Sequence, residues 1–264
     1  MAASNPTTER LIRHYPRHPI KCAIIGDSLT KYVHNHFTPS DPEAPCFISY
    51  CGASYADIPL LLQYVPSSVN TLIVHVGTVD IARNGSSSSL ERLTLLVEEI
   101  RQKRPEIKKI GVSLPLPRGP NRRRRGSNQR FVKWFNGQVS KFKTGVRHLC
   151  RRKELGPGVR YIDHGFTSLP LWRFLAADGL HTSFEGVGLL AQHFKAELNY
   201  PLHGWQPTPF VARSRCPGRR SGDAAASTPP PSIPPPPPPV PERRYNTRKT
   251  YAMAAQQAVP EQSN

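Results

Sequence analysis

Long apolar runs are missing from this 264-residue sequence, and so are acids where its bases are concentrated. No stretch approaches the length needed to span a bilayer, and Met1 to Arg17 holds no apolar segment of the kind that directs export. The five cysteines (Cys22, Cys46, Cys51, Cys150 and Cys216) form no paired metal-ligand spacing, and their odd number fits poorly with a complete disulfide framework. These absences set the expectation of a reduced, intracellular protein, cytoplasmic or nuclear. A hydrophobic fraction of 38% lies below the globular average, so part of the chain is expected not to pack. No internal repeat is present.

What the chain does carry is positive charge, and that charge is concentrated. The formal net charge is +18, and residues 101–160 hold 19 Lys and Arg against Glu106 and Glu154 alone. Such a field attracts phosphate polymers or anionic surfaces and says nothing about fold. The run Arg122, Arg123, Arg124, Arg125 sits between Gly119-Pro120 and Gly126-Ser127, the setting of an exposed loop. Arg151, Arg152 and Lys153 follow further on. These seven residues are the candidates for contact with nucleic acid or another polyanion, and the four arginines also fit a nuclear-import signal. Trp134 and Phe135 lie close by, but their helical spacing assigns them to the core rather than to base stacking.

Between about residues 19 and 200, short apolar runs alternate with longer amphipathic ones. Cys22–Ile25, Phe47–Tyr50, Leu72–Val76, Ile110–Leu114 and Tyr161–Ile162 read as five strands. Leu90, Leu93, Val97 and Ile100 recur at helical spacing, with Ser89 as a cap. Phe131, Phe135, Val139 and Phe142 repeat the pattern. Thr182 with Glu185 three residues on is a capping-box signature for a last helix through Leu190 and Phe194. This alternation predicts an α/β sandwich, a parallel sheet covered on both faces, with ligands bound beyond the carboxyl ends of the strands. Residues 1–18 read as a short extension. Residues 201–264 read as a disordered tail, because ten of the thirteen residues from Pro229 to Pro241 are proline and a basic segment follows. A polyproline rod of this kind is a candidate ligand for an SH3- or WW-type partner.

The chemistry falls at the strand ends. Gly26-Asp27-Ser28-Leu29 follows the first strand directly, so a tight strand-to-helix turn would expose the Ser28 hydroxyl. Asp178-Gly179-Leu180-His181 lies just before the last helix. An Asp three residues before a His can orient the imidazole and stabilise its charged form.

Four blocks together resemble the SGNH hydrolases, also called GDSL esterases and lipases. They are Ile25-Gly26-Asp27-Ser28-Leu29-Thr30, the glycine of Cys51-Gly52-Ala53-Ser54, Val74-His75-Val76-Gly77-Thr78-Val79-Asp80, and Asp178-Gly179-Leu180-His181. The resemblance implies a flavodoxin-like three-layer fold with a five-stranded parallel sheet and a shallow, open site. It implies removal of acyl groups from lipids, sugars or small esters without metal or cofactor. Ser28 would be the nucleophile and, through its own amide, an oxyanion donor. Gly52 would supply a second amide, and His181 would be the base held by Asp178. The chain is also similar to the esterase-like domain carried in the first open reading frame of some animal retrotransposons.

One position departs from the pattern. Val79 stands where the third block has an asparagine that donates to the oxyanion, and losing such a donor costs roughly a hundred- to a thousandfold in turnover. Thr78 and Asn84 are the nearby residues that could stand in. Two expectations follow: a serine-dependent acyl-ester hydrolase, and against it a catalytically silent domain that binds a polyanion through its basic segment.

Overall fold

The computed structural model describes residues 10–123, 129–166 and 170–200. Arg124, Arg125 and the proline-rich tail lie outside them. In chain order the regular elements are β1 (Leu11–His14), β2 (Cys22–Gly26), β3 (Cys46–Tyr50), α1 (Ile58–Leu61), β4 (Thr71–His75), α2 (Thr78–Lys103), β5 (Lys109–Ser113), α3 (Gln129–Arg151), β6 (Val159–Ile162), α4 (Leu171–Phe174) and α5 (Phe184–Glu197). The strands form one sheet in the order β1-β3-β2-β4-β5-β6.

β2 to β6 are parallel, and without β1 their order is that of the flavodoxin-like doubly wound sheet. Both faces are covered, which explains why the central strands read as unbroken apolar runs rather than alternating ones. On β2, Ala23 and Ile25 enter a core shared with Leu93, Val97, Phe135 and Phe142 of α2 and α3. Ile24 between them faces the opposite core, with Phe47, Ile73, Val187, Leu190 and Phe194. Each fully buried large apolar side chain contributes about 1.5–3 kcal/mol, so β2 is anchored from both sides.

Three elements differ from the sequence reading. A sixth strand, β1, pairs antiparallel with β3 at the sheet edge, from Leu11 opposite Tyr50 to His14 opposite Phe47. Edge strands are held largely by backbone hydrogen bonds, and these four residues have no strong apolar pattern to announce one. Helix α2 begins at Thr78, well before Ser89, with a break at Gly85 (φ 74°, ψ −173°). Ser89 is therefore inside the helix, and its hydroxyl donates to the Gly85 carbonyl one turn back at 2.6 Å. The cap of α5 is Ser183 rather than Thr182. Its Oγ accepts from the Gly186 amide at 3.2 Å, while Glu185 pairs with Arg173.

Candidate active site

β2 lies at the switch point of the sheet, with β3 on one side and β4 on the other, so the chain leaves its carboxyl end into a crevice. Gly26, the last residue of β2, is opposite Ser49 of β3 and His75 of β4. A Cβ on Gly26 would come within 2.9 Å of the His75 carbonyl and 2.5 Å of Thr30 Oγ1, so only glycine lets the turn fold back so closely. The Asp27 amide donates to that same His75 carbonyl at 3.1 Å. The Asp27 carboxylate accepts from the Leu29 amide at 2.9 Å, and Thr30 Oγ1 donates to the Asp27 carbonyl at 2.9 Å. Ser28 opens the short 3-10 turn Ser28–Thr30 and is half-buried. Its backbone is thus pinned on both sides while its side chain faces the crevice.

The loop before α5 brings the other two predicted residues to it. Ser28 Oγ is 3.2 Å from His181 Nε2, and His181 Nδ1 is 2.7 Å from Asp178 Oδ2. The other Asp178 oxygen accepts from the amides of Leu180 and His181 at 2.9 and 3.0 Å. Burial alone would raise the Asp178 carboxyl, but the hydrogen bonds from the His181 ring and these two amides outweigh it and hold it below the usual carboxylate range. The site is open: the side chains of His181 and Asp178 are 45% and 34% exposed.

Gly52 and Val79 emerge at the same edge, after the two strands that flank β2. Gly52 is exposed and takes φ 77°. Val79 is half-buried in the first turn of α2 and has no polar atom in its side chain. Thr78 beside it is buried, and Asn84 is exposed, five residues or ~7.5 Å further along the helix axis. Asp80 is buried and accepts from the Tyr55 amide at 3.1 Å, tying the loop that carries Gly52 to the start of α2.

The basic candidates separate. Arg123, Arg151, Arg152 and Lys153 are exposed, and Arg152 reaches Glu154 at 3.3 Å. Arg122 is exposed as well, but its guanidinium donates to the Leu175 carbonyl at 3.1 Å. Phe135 is fully buried, as its spacing indicates, but Trp134 is 42% exposed and so departs from the core assignment.

Two features were not visible in the sequence. Asp27 is completely buried beside the serine, and burial pushes its carboxyl up to about 7 against the lowering effect of the Leu29 amide and the charges of His181 and Arg118. Behind the site, a chain of polar side chains crosses the sheet. His75 Nδ1 is 2.5 Å from Ser113 Oγ, Ser113 Oγ is 2.7 Å from His164 Nε2, and His164 Nδ1 is 3.1 Å from His193 Nδ1. Burial lowers His75 to about 4 and His164 well below its ordinary value. The only trace of this relay in the sequence is a polar residue at or just beyond the carboxyl end of three successive strands.

The sheet order and the crevice at its switch point define a flavodoxin-like fold, and solved GDSL-like lipases and esterases are similar to it. No protein-family model and no curated protein matches the sequence. Among solved structures, a carbohydrate esterase family 3 protein from Talaromyces cellulolyticus superposes with a TM-score of 0.51 at 15% identity, over 68% of this chain and 96% of that one. A GDSL-like lipase from Bacteroides thetaiotaomicron gives 0.51 at 14% identity, over 68% and 87%. A structure described as a platelet activating factor from Streptococcus pneumonia gives 0.52 at 19% identity, over 68% and 84%. No helix among the described residues is long and apolar enough to cross a membrane.

Proposed function

We propose that this chain is a serine-dependent hydrolase of carboxylic esters that works through an acyl-enzyme on Ser28. The observation that carries the reading is the continuous contact from Ser28 Oγ through the His181 ring to the Asp178 carboxylate, on a turn where the serine backbone has no freedom. His181 Nε2 takes the proton of the Ser28 hydroxyl as Oγ attacks the ester carbonyl, and Asp178 stabilises the imidazolium that forms. The oxyanion of the tetrahedral intermediate is received by the backbone amides of Ser28 and Gly52. The imidazolium then protonates the departing alcohol. Water enters, gives its proton to His181, attacks the acyl carbon, and releases the acid with Ser28 restored. Val79 supplies no third donor, which makes this a slow member of its class.

The test is labelling of the purified full chain by a fluorophosphonate probe, with Ser28→Ala and His181→Ala as controls. Labelling that needs both side chains supports the reading. A folded wild-type protein that takes up no probe and hydrolyses no short-chain ester overturns it.

A second reading, a basic module that binds a polyanion, is favoured by the exposure of Arg123, Arg151, Arg152 and Lys153 together with the missing donor at Val79. It requires binding of nucleic acid that weakens steeply with salt. Binding indifferent to salt, or unchanged when Arg122 to Arg125 become serine, excludes it.

A further inference from the structure

The loop that carries Asp178 and His181 has little of the core to hold it. Both side chains are half-exposed, and between α4 and α5 the backbone makes no regular element beyond one bridge, Leu175 opposite Thr182. Its inner bonds are its own: the Ala176 amide donates to the His181 carbonyl at 2.8 Å, and the Gly179 amide to the Ala176 carbonyl at 2.9 Å. Its outer side is held by another segment, the start of the basic stretch after β5. The Gly119 amide donates to the Gly179 carbonyl at 2.8 Å, the Arg122 amide to the Ala177 carbonyl at 2.7 Å, and the Arg122 guanidinium to the Leu175 carbonyl at 3.1 Å. Three carbonyls at alternate positions, 175, 177 and 179, are thus taken by one short segment, and Asp178 lies between two of them.

That segment is itself anchored. Asn136 of α3 grips the peptide at Arg118 in both directions, accepting from its amide and donating to its carbonyl, each at 2.8 Å. The approach of the two segments is as close as backbone allows. Gly179 takes φ 70°, and a Cβ there would stand 2.3 Å from the Gly119 carbonyl oxygen. A path of hydrogen bonds therefore runs from a core helix, through residues 118–122, to the loop that presents the imidazole to Ser28.

We propose that Arg122 is a positioning residue for the Asp178–His181 pair, acting through a brace formed by residues 119–122; this rests on the reading of Ser28, His181 and Asp178 as a catalytic triad. Arg122 and Arg123 are both exposed, but the guanidinium of the first donates to the active-site loop, whereas the second uses its amide on Asn121 Oδ1 at 2.9 Å. Displacement of a catalytic group by about 1 Å costs up to about a hundredfold, so a partly loosened brace has a measurable effect on chemistry without unfolding the chain.

The experiment compares Arg122→Ala, Arg122→Lys and Arg123→Ala in the full chain. Arg122→Ala and Arg123→Ala remove the same charge from neighbouring positions, and only the first removes a bond to the loop. Each is assayed for kcat and KM on a short-chain p-nitrophenyl ester, for fluorophosphonate labelling rate, and for hydrogen exchange of the Ala176–His181 amides. For Arg122→Ala the expected result is about a five- to tenfold loss in kcat and labelling rate at unchanged KM, with faster exchange in that loop alone. Arg122→Lys, which keeps a cationic donor, recovers most of both, and Arg123→Ala matches wild type. Equal behaviour of the two alanine variants, or faster exchange with kcat unchanged, overturns the proposal. If wild type itself neither labels nor hydrolyses, the proposed function fails and takes the positioning role with it. The exchange comparison then decides separately whether the brace exists.

Discussion

His181 and His75 both stand at the carboxyl edge of the sheet, one on the loop before α5 and the other at the end of β4. The first is open to solvent, with a carboxylate on one nitrogen and the Ser28 hydroxyl near the other. The second is buried and has a serine on Nδ1, followed by a second and a third histidine. A carboxylate partner fixes the orientation of the ring, whereas burial in a neutral network disfavours its charged form. On the proposed function the same side chain therefore serves as a base in one place and as a fixed hydrogen-bonding block in the other, and its surroundings make the difference.

The largest effect that bears on this contrast is expected from exchanging each histidine for alanine. His181→Ala should lower turnover by at least about a thousandfold and leave the melting temperature within a few degrees. His75→Ala should do the reverse, costing about 3 kcal/mol of stability through the cavity and the stranded Ser113 hydroxyl. Thermal melting and ester kinetics on both variants check it. Loss of turnover in a stable His75→Ala protein would make the buried relay part of the chemistry and dissolve the contrast.

Restoring the missing donor sharpens the same comparison from the side of the open site. Val79→Asn should raise kcat by up to about a hundredfold with little change in KM, since the new amide would act only on the oxyanion. An unchanged kcat would mean that the first turn of α2 does not face the developing charge.

The remaining effects come with pH, where His75 and Asp27 pull in opposite directions. His75 titrates near 4 in the folded chain against 6.5 as its ordinary value. Its contribution is therefore complete above pH 6.5 and falls away as pH drops through that window, by about 1.4 kcal/mol per pH unit. Asp27 is raised from 3.8 to about 7, so its cost is absent below pH 3.8 and grows as pH rises to 7. Asp27→Asn should accordingly be more stable than wild type at pH 8 by roughly a few kcal/mol, an advantage that vanishes near pH 4. Denaturant melts at pH 4, 6 and 8 measure both slopes. In wild type the opposing slope of Asp27 masks that of His75, so the decisive curve is that of Asp27→Asn: flat between pH 4 and 6.5, it would mean that the relay histidines are not held neutral.

The parts of the molecule legible in the sequence are those whose cause is local. Strands buried on both faces, such as Thr71–His75, announce themselves as apolar runs, and the turn after β2 is written in Gly26 and Asp27. Asp178 and His181 could be paired because the same three-residue step that links them in sequence also sets their contact. β1 could not be read, because three half-buried residues and an exposed arginine on an edge owe their place to the backbone of β3. The break at Gly85 was hidden because the four serines that follow it, Ser86 to Ser89, look like a cap, although α2 runs through. The relay of His75, Ser113, His164 and His193 exists only once four separate elements are brought together. The hold of Arg122 on Leu175 is hidden for the same reason, since a run of arginines looks solvated wherever it stands.

β1 has a consequence at the far rim of the molecule. A parallel sheet that ended at β3 would leave the five-residue edge Cys46–Tyr50 open, a template on which a second copy could stack strand to strand. With β1 in place, the outermost strands are Leu11–His14 on one side and Val159–Ile162 on the other, each only four residues long. Each also carries an outward arginine, Arg13 and Arg160. Short, charged margins are how sheets resist edge-to-edge growth into fibres. In this chain that protection stands on the two flanks of the sheet, away from the crevice that holds Ser28.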